Sequence, residues 1–131
     1  MTDVRRVSSG GPWEDTIGYS RAIAAGPYVF VAGCTATVDG QTQHDGDPYQ
    51  QTLAAFGIAG RALAELGLSL TDVVQTRMYL VHARDAEAVG RAHAELFGRT
   101  RPAATMVVVA GLIGSLMLVE VEVVAYRGTG S

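Results

Sequence analysis

The sequence predicts an α+β fold in which one mixed sheet of about six strands carries two helices on a single face. The chain has 131 residues, of which 48% are hydrophobic and 18% are charged, so it can bury the core of one ordinary domain. Apolar residues follow a strand period in several segments and a helix period in two. The order of strands, helix, strand, helix and two strands favours both helices on one side of a sheet. We therefore expect residues 1–131 to form a single domain.

A β-hairpin is predicted near the start of the chain. Residues 28–32 are a short β-branched and aromatic run between a Gly-Pro pair and Gly33, which is how a strand is bounded. Residues 20–25, directly before this run, are the expected hairpin partner. The segment 38–46 is polar and holds two Asp-Gly turn signals.

The first helix is predicted to begin after Asp47, because that residue can cap a helix and Pro48 suits the first helical position. Gly67 supplies a left-handed stop, which gives the helix about five turns. The apolar residues of this segment recur at three- and four-residue steps and are Leu53, Phe56, Leu63 and Leu66.

A strand with two different faces is predicted over residues 73–81. Because side chains alternate along a strand, one face takes Val74, Thr76, Met78 and Leu80. The opposite face takes Val73, Gln75, Arg77, Tyr79 and Val81.

A second helix and two strands complete the predicted order. Asp85 is the expected cap of this helix and Gly98 its end. The apolar stripe of the helix comprises Val89, Ala92, Leu96 and Phe97. Residues 106–110 form a continuous apolar strand, and residues 118–126 alternate apolar with charged side chains.

One face of this sheet would have no helix to cover it. It is too apolar for open water and too charged for a sealed core. The predicted members of this open face are Val73, Tyr79, Val81, Leu118 and Val124 beside Gln75, Arg77, Glu120 and Glu122. A closed ring of subunits that share this surface is the simplest cover, with polar residues gathering where the subunits meet.

Composition and charge exclude several classes of protein. The net charge is -3, no lysine is present and the arginines form no stripe, so nucleic-acid binding is not expected. Cys34 is the only cysteine and can form no disulfide within the chain, which favours a reducing, cytoplasmic setting. The N-terminus is polar and no stretch approaches the ~20 apolar residues of a membrane span, so neither export nor membrane insertion is expected.

Five short blocks carry a resemblance to a known family. In chain order they are Gly18–Ala22, Val29–Gly33, Asp72–Thr76, Arg101–Ala103 and Leu118–Glu122. With these blocks in order and spacing, the chain from about Ile17 to Tyr126 resembles the Rid family, also called the YjgF family, of RidA-like proteins. The resemblance implies a chorismate-mutase-like fold, a homotrimer with its helices outside, and a small-molecule cleft at each of three subunit interfaces.

Three positions depart from the family pattern. In the deaminating members, the pair matching Pro102-Ala103 is followed by an arginine that holds the substrate carboxylate while water attacks the imine carbon, but here Ala104 follows. Such a charge-assisted contact contributes about 1.5–3 kcal/mol. Gly90 stands where many members have asparagine, and Ala32 where many have serine. The chain is therefore interpreted as a divergent member that does not hydrolyse 2-aminoacrylate in the standard way.

Glu120 is the candidate catalytic residue, because it matches the family's cleft glutamate that positions the attacking water. The alternatives are an exposed strand carboxylate or a partner for Arg77. Tyr19 matches a tyrosine that lies over the ligand, with an ordinary half-buried aromatic as its alternative. Arg77 is a candidate replacement for the lost cation, although an inter-strand salt bridge to Glu122 is favoured.

The remaining candidates surround this glutamate. Backbone amides near Gly33 and Thr105 are the expected hydrogen-bond donors. Cys34 lies near the family's cleft, but no histidine or asparagine is placed with it, so a small buried hydrophobe is favoured over a nucleophile. The complete set of expected binding residues is Tyr19, Gly33, Cys34, Arg77, Gly90, Ala104 and Thr105.

No metal or cofactor is expected from the sequence. The three histidines lack the spacing of metal ligands, and neither GxGxxG nor GxSxG occurs. Three functions then stay open: an imine- or enamine-processing hydrolase, a non-catalytic trimer that binds a metabolite, and the endoribonuclease activity that some relatives carry in their name (L-PSP). Ribonuclease activity is the least favoured, because the chain lacks stacking aromatics interleaved with basic residues.

Overall fold

The computed structural model describes residues 4–128, so residues 1–3 and 129–131 of the predicted domain lie outside it. Its strands are β1 (Val4–Val7), β2 (Ala22–Ala25), β3 (Tyr28–Cys34), β4 (Thr37–Val38), β5 (Gln41–Thr42), β6 (Val73–Leu80), β7 (Ala103–Val108) and β8 (Val119–Tyr126). The helices are α1 (Pro48–Ala64) and α2 (Ala86–Phe97). Six strands form one sheet in the order β1-β2-β3-β8-β6-β7, and the predicted α+β fold class is confirmed.

Helix α1 begins where the sequence predicts. The Asp47 side chain accepts a hydrogen bond of 3.0 Å from the Gln50 amide, and Pro48 follows at the first helical position. Gly67, three residues beyond the helix, has a φ of 79°, which a residue without Cβ adopts freely. The buried face also includes a side chain that the apolar pattern overlooks. Gln51 is fully buried; its Nε2 donates to Leu116 O at 3.1 Å and its Oε1 accepts from Leu118 N at 2.9 Å, which connects α1 to the loop before β8.

The core lies between the helices and one face of the sheet. Strand β8 alternates strictly, with every second side chain buried from Val119 to Ala125. Glu120, Glu122 and Val124 therefore lie on the opposite, open face. All pairs in the sheet are antiparallel except β6 with β7, which are parallel and connected through α2. No helix in the described part is long and apolar enough to cross a membrane.

The predicted faces of β6 are wrong at its first two residues. Val73 is buried at 2% exposure and Val74 is 42% exposed, the reverse of the predicted arrangement. The reason is a β-bulge. Val73 pairs with Ala125 but Gln75 pairs with Val124, so Val74 is an extra residue on this strand. From Thr76 to Leu80 the predicted alternation holds.

Two boundary predictions also need correction. Asp85 stands at the N-cap position of α2, but its side chain makes no capping hydrogen bond. The short helical turn Ala83–Asp85 already gives this residue a helical backbone, with φ −85° and ψ −4°, instead of the extended conformation of a cap. Strand β7 begins at Ala103, earlier than residue 106, because its first residues pair with Gln75 and Thr76. The sequence interpretation also did not include β1 or the small β4–β5 hairpin.

Candidate functional site

Glu120 and Gly33 are in direct contact across β8 and β3. A Cβ atom placed on Gly33 would lie 1.9 Å from Glu120 Oε2 and 2.9 Å from its Cδ. The Glu120 side chain would have to move to admit that Cβ, so its carboxylate lies directly against the glycine Cα. The structure therefore brings together two of the predicted site residues.

Gly33 lies in a bulge of β3 that the Arg21 side chain holds. The pairing with β8 shifts between Val31 and Cys34. Val31 pairs with Val123 and Cys34 with Val121, so β3 has one more residue than β8 over this stretch. Arg21 Nη1 donates to Ala32 O at 3.1 Å and to Gly33 O at 2.7 Å. The carbonyl groups displaced from the ladder thus receive a charged donor.

Arg21 also joins two other predicted site residues to this bulge. Its Nη1 atom lies 3.3 Å from Cys34 Sγ, and its Nη2 atom lies 3.3 Å from the Tyr19 hydroxyl oxygen. The guanidinium carbon is 5.5 Å from the centroid of the Tyr19 ring, within cation–π range. We call Tyr19, Arg21, Gly33, Cys34 and Glu120 the β3 cluster. Sequence reasoning missed Arg21 as a site residue, although it stands two positions after Tyr19 in the first matching block.

The β3 cluster changes the acidity of its members. Burial raises the pKa of Glu120, the Glu122 carboxylate raises it further, and the Arg21 cation partly opposes both. Burial likewise raises the pKa of the Cys34 thiol against the effect of Arg21. Cys34 is 2% exposed and therefore remains a thiol near neutral pH, which agrees with a small buried side chain more than with a nucleophile.

A second polar group lies on the open face, centred on Glu122. Arg77 Nη1 is 3.6 Å from Glu122 Oε1, so the inter-strand ion pair favoured from sequence is present. The Tyr79 hydroxyl donates to the same carboxylate, and this bond raises the tyrosine pKa. A recess of about 100 Å³ lies beside the ion pair and is lined in part by Phe30 and Gln75. Arg77 thus binds Glu122 rather than any member of the β3 cluster.

Ala104 and Thr105 do not meet the β3 cluster within one chain. Tyr79 pairs with Glu120 on one side and with Val107 on the other, so Ala104 is two strands and three residues from Glu120. That separation is roughly 14 Å between Cα atoms in a flat sheet. Both residues are exposed on the edge strand β7. Within one chain, a small substrate therefore cannot contact both Ala104 and Glu120.

Gly90 lies on α2, apart from the β3 cluster as well. A Cβ placed on it would meet no heavy atom within 4 Å, so the position is open. One turn later, His93 Nε2 lies 2.9 Å from Thr76 Oγ1, and Thr76 pairs with Ala104 in the sheet. Burial lowers the pKa of His93, which keeps the imidazole neutral. This histidine–threonine pair beside Ala104 was not foreseen from the sequence.

Neither metal ligation nor a deep cavity marks another centre in the described part of the chain. Across residues 4–128, no three histidine, cysteine, aspartate or glutamate side chains are grouped to hold a metal ion. A groove of about 350 Å³ runs between α1 and the β4–β5 hairpin, with Leu53, Ile58 and Arg61 among its lining residues. None of the predicted site residues lines it.

Comparison with known proteins shows which family and which proteins the chain is similar to. A model of the family described as endoribonuclease L-PSP matches residues 14–127. An uncharacterized protein of Streptomyces coelicolor is 55% identical over 95% of this chain and 93% of its own length. A RutC family protein of Pyrococcus abyssi is 35% identical over 83% of this chain and 86% of its own length. A solved structure of a YjgF family member from Mycobacterium tuberculosis has a TM-score of 0.86 and 41% identity, and the match covers 95% of this chain and 99% of that one.

Proposed function

The chain belongs to the endoribonuclease L-PSP family, also named YjgF or Rid, and we propose that it hydrolyses a small imine or enamine that carries no carboxylate. The observation that carries the proposal is the Glu120 carboxylate resting on Gly33 within the β3 cluster. A partly buried carboxylate with a raised pKa is a stronger base than an exposed one. Its Oε2 and Cδ atoms lie against the backbone of Gly33.

The proposed reaction adds water across a C=N bond. Glu120 accepts a proton from a water molecule while the water oxygen bonds to the imine carbon, and the C=N electron pair moves to nitrogen. Glu120 then returns the proton to that nitrogen, which gives a carbinolamine. The carbinolamine hydroxyl proton moves to the nitrogen, and the C–N bond breaks to release ammonia and leave a carbonyl compound. Imine and water are thereby converted to carbonyl compound and ammonia, with no oxidant or cofactor consumed.

The substrate class follows from Ala104. A methyl group offers neither charge nor hydrogen bond to a carboxylate, and Gly90 leaves the space of its own side chain empty. Arg77 does not compensate, since its guanidinium is bound to Glu122. A neutral substrate loses nothing from these replacements, whereas 2-aminoacrylate and 2-iminobutyrate lose their anchor.

The active form is proposed to be a homotrimer with clefts between subunits. Two observations support this assembly. The open face exposes the large apolar side chains of Tyr28 and Phe30, at 44% and 45%. In addition, the roughly 14 Å between Ala104 and Glu120 is too long for one small substrate to span inside a single chain.

The test compares two substrates and one variant. We expect the protein to hydrolyse a carboxylate-free imine of an aliphatic ketone faster than buffer does, and to leave 2-iminobutyrate at its uncatalysed rate. Glu120→Gln, which keeps size but not basicity, should lower the catalysed rate by about 10²–10⁴-fold. Ammonia release measures the hydrolysis of both substrates, by the wild type and by the variant. Hydrolysis of 2-iminobutyrate in preference to the neutral imine, or full activity in Glu120→Gln, contradicts the proposal.

A second candidate function is metabolite binding without turnover, favoured by the loss of a charged anchor at Ala104. It predicts saturable binding of a small molecule, measured by calorimetry, with no product. The ribonuclease activity for which the family is named is a weaker candidate for this chain, since its net charge is -3 and it has no lysine to contact phosphates.

A further inference from the structure

We infer that Arg21 is a positioning residue of the candidate site: it fixes the β3 bulge in the shape that places Gly33 beneath the Glu120 carboxylate. The link to hydrolysis rests on the proposed function. The geometric part rests only on contacts within one chain. Arg21 acts through Gly33 and Glu120 and not on the substrate itself.

Both the backbone and the side chain of Arg21 hold the bulge. Its carbonyl accepts the Ala32 amide hydrogen at 2.9 Å, and its own amide donates to Val7 O at 2.8 Å. Its side chain then returns to the same segment and donates to the carbonyls of Ala32 and Gly33. Because main chain and guanidinium clamp two successive peptide units, Gly33 has little freedom to move relative to β8.

The contacts require a guanidinium rather than a simple cation. Nη1 serves the two carbonyls of the bulge, while Nη2 lies against the Tyr19 hydroxyl on the other side. A planar fork reaches both sides at once, whereas the single nitrogen of lysine cannot. Lysine at this position would keep the charge but lose part of the clamp.

Charge gives Arg21 a second effect on the same carboxylate. The titratable and charged groups around Glu120 are Glu122 on its own strand, Tyr79 on β6 and the Arg21 guanidinium, with the Cys34 thiol nearby on the buried face of β3. Burial and Glu122 both favour the protonated form of Glu120, and Arg21 favours the ionised form. Arg21 thereby helps to keep Glu120 available as a base while holding the surface on which it rests.

The test follows Glu120 directly, by carbon-13 NMR titration of its labelled carboxyl group in the full-length protein. We expect Arg21→Gln to raise the Glu120 pKa and to lower kcat for imine hydrolysis by about 10- to 100-fold with little change in KM. Arg21→Lys should keep the Glu120 pKa close to wild type and still lower kcat. Arg61→Gln is the matched control: it removes one cation from α1, and Arg61 does not act on Glu120.

A Glu120 titration in Arg21→Gln that is the same as in Arg61→Gln overturns the inference, as does wild-type kcat in Arg21→Lys. If Arg21→Gln does not fold, the inference is tested by Arg21→Lys alone, whose kcat is compared with that of the wild type. If the wild type hydrolyses no imine at all, the proposed function fails, but the titration still decides whether Arg21 controls Glu120. The two failures are therefore distinguishable.

Discussion

The end of β3 and the edge strand β7 differ in how much of their surroundings a single chain provides. At β3, Arg21 contacts Tyr19, Cys34 and the backbone on which Glu120 rests. At β7, Ala104 and Thr105 are exposed, and neither side chain takes part in a hydrogen bond within residues 4–128. The first region, which we call the inner half of the candidate site, is thus built inside one chain, whereas the second, which we call the outer half, lies apart from it on an exposed edge strand. Substitutions in the two regions should consequently have different effects.

The largest expected effect on activity comes from dissociating the proposed homotrimer. Phe30→Asp puts a charge in the middle of the apolar open face and should convert a trimer to a monomer, measured by light scattering at micromolar concentration. Because the β3 cluster needs only one chain, the Glu120 titration should persist while hydrolysis is lost. Val38→Asp, an equally exposed site on the β4–β5 hairpin, is the control and should stay trimeric. A wild-type monomer would refute the assembly.

Gly33→Ala tests the inner half of the site. The added Cβ collides with the Glu120 carboxyl group, so we expect a loss of about 1–3 kcal/mol in the free energy of unfolding and a strong loss of activity. Gly57→Ala is the matched control, because its Cβ would meet only Arg61 Nη1 at 3.9 Å and alanine suits the interior of α1. That variant should gain about 0.5–1 kcal/mol. Urea unfolding measures the free energy of unfolding of both variants. Equal changes in Gly33→Ala and Gly57→Ala would show that the Glu120 side chain moves aside without cost.

Ala104→Arg tests the outer half. If the β3 cluster is competent and only the anchor is missing, the new cation should raise the hydrolysis of 2-iminobutyrate about tenfold, which corresponds to about 1.4 kcal/mol of transition-state stabilisation. Ala104→Met adds a long side chain without a charge at the same position and should give no gain. A folded, trimeric Ala104→Arg without any gain would favour metabolite binding over catalysis.

The smallest expected effect is the contribution of Glu120 to the pH dependence of the free energy of unfolding. Its pKa is raised in the folded protein, so the folded state binds the proton more tightly than the unfolded chain does. The free energy of unfolding should therefore rise as pH falls through the folded pKa, and this part of it should be lost again as pH rises. Glu120→Gln should remove that dependence and be more stable than wild type above the folded pKa. Parallel stability curves for the two proteins would contradict this.

Sequence patterns predicted the fold well where periodicity and capping act locally. The Asp47-Pro48 start of α1 and the alternation of β8 need no information from distant residues. The bulge at Val74 could not be foreseen, because it arises from pairing with β8 about fifty residues later. Buried Gln51 was overlooked for the same reason, since its partners lie in the loop before β8.

The candidate site was predicted in part. The matching blocks pointed to Glu120, Gly33 and Tyr19, and the structure brings Glu120 onto Gly33 and links Tyr19 to the same bulge through Arg21. Arg21 was not recognised, because its role depends on the carbonyl groups of a bulge that no spacing reveals. The separation of Ala104 from Glu120 depends on strand order, which a sequence pattern alone does not provide.

Strand β8 lies in the interior of the sheet, yet it is the last described element in chain order. Until residues 119–126 have left the ribosome, β3 and β6 have no strand between them, and the apolar sides of both, together with α1, stay uncovered. The sheet therefore cannot close until residues 119–126 are available, so its folding depends on contacts between segments that are distant in the chain.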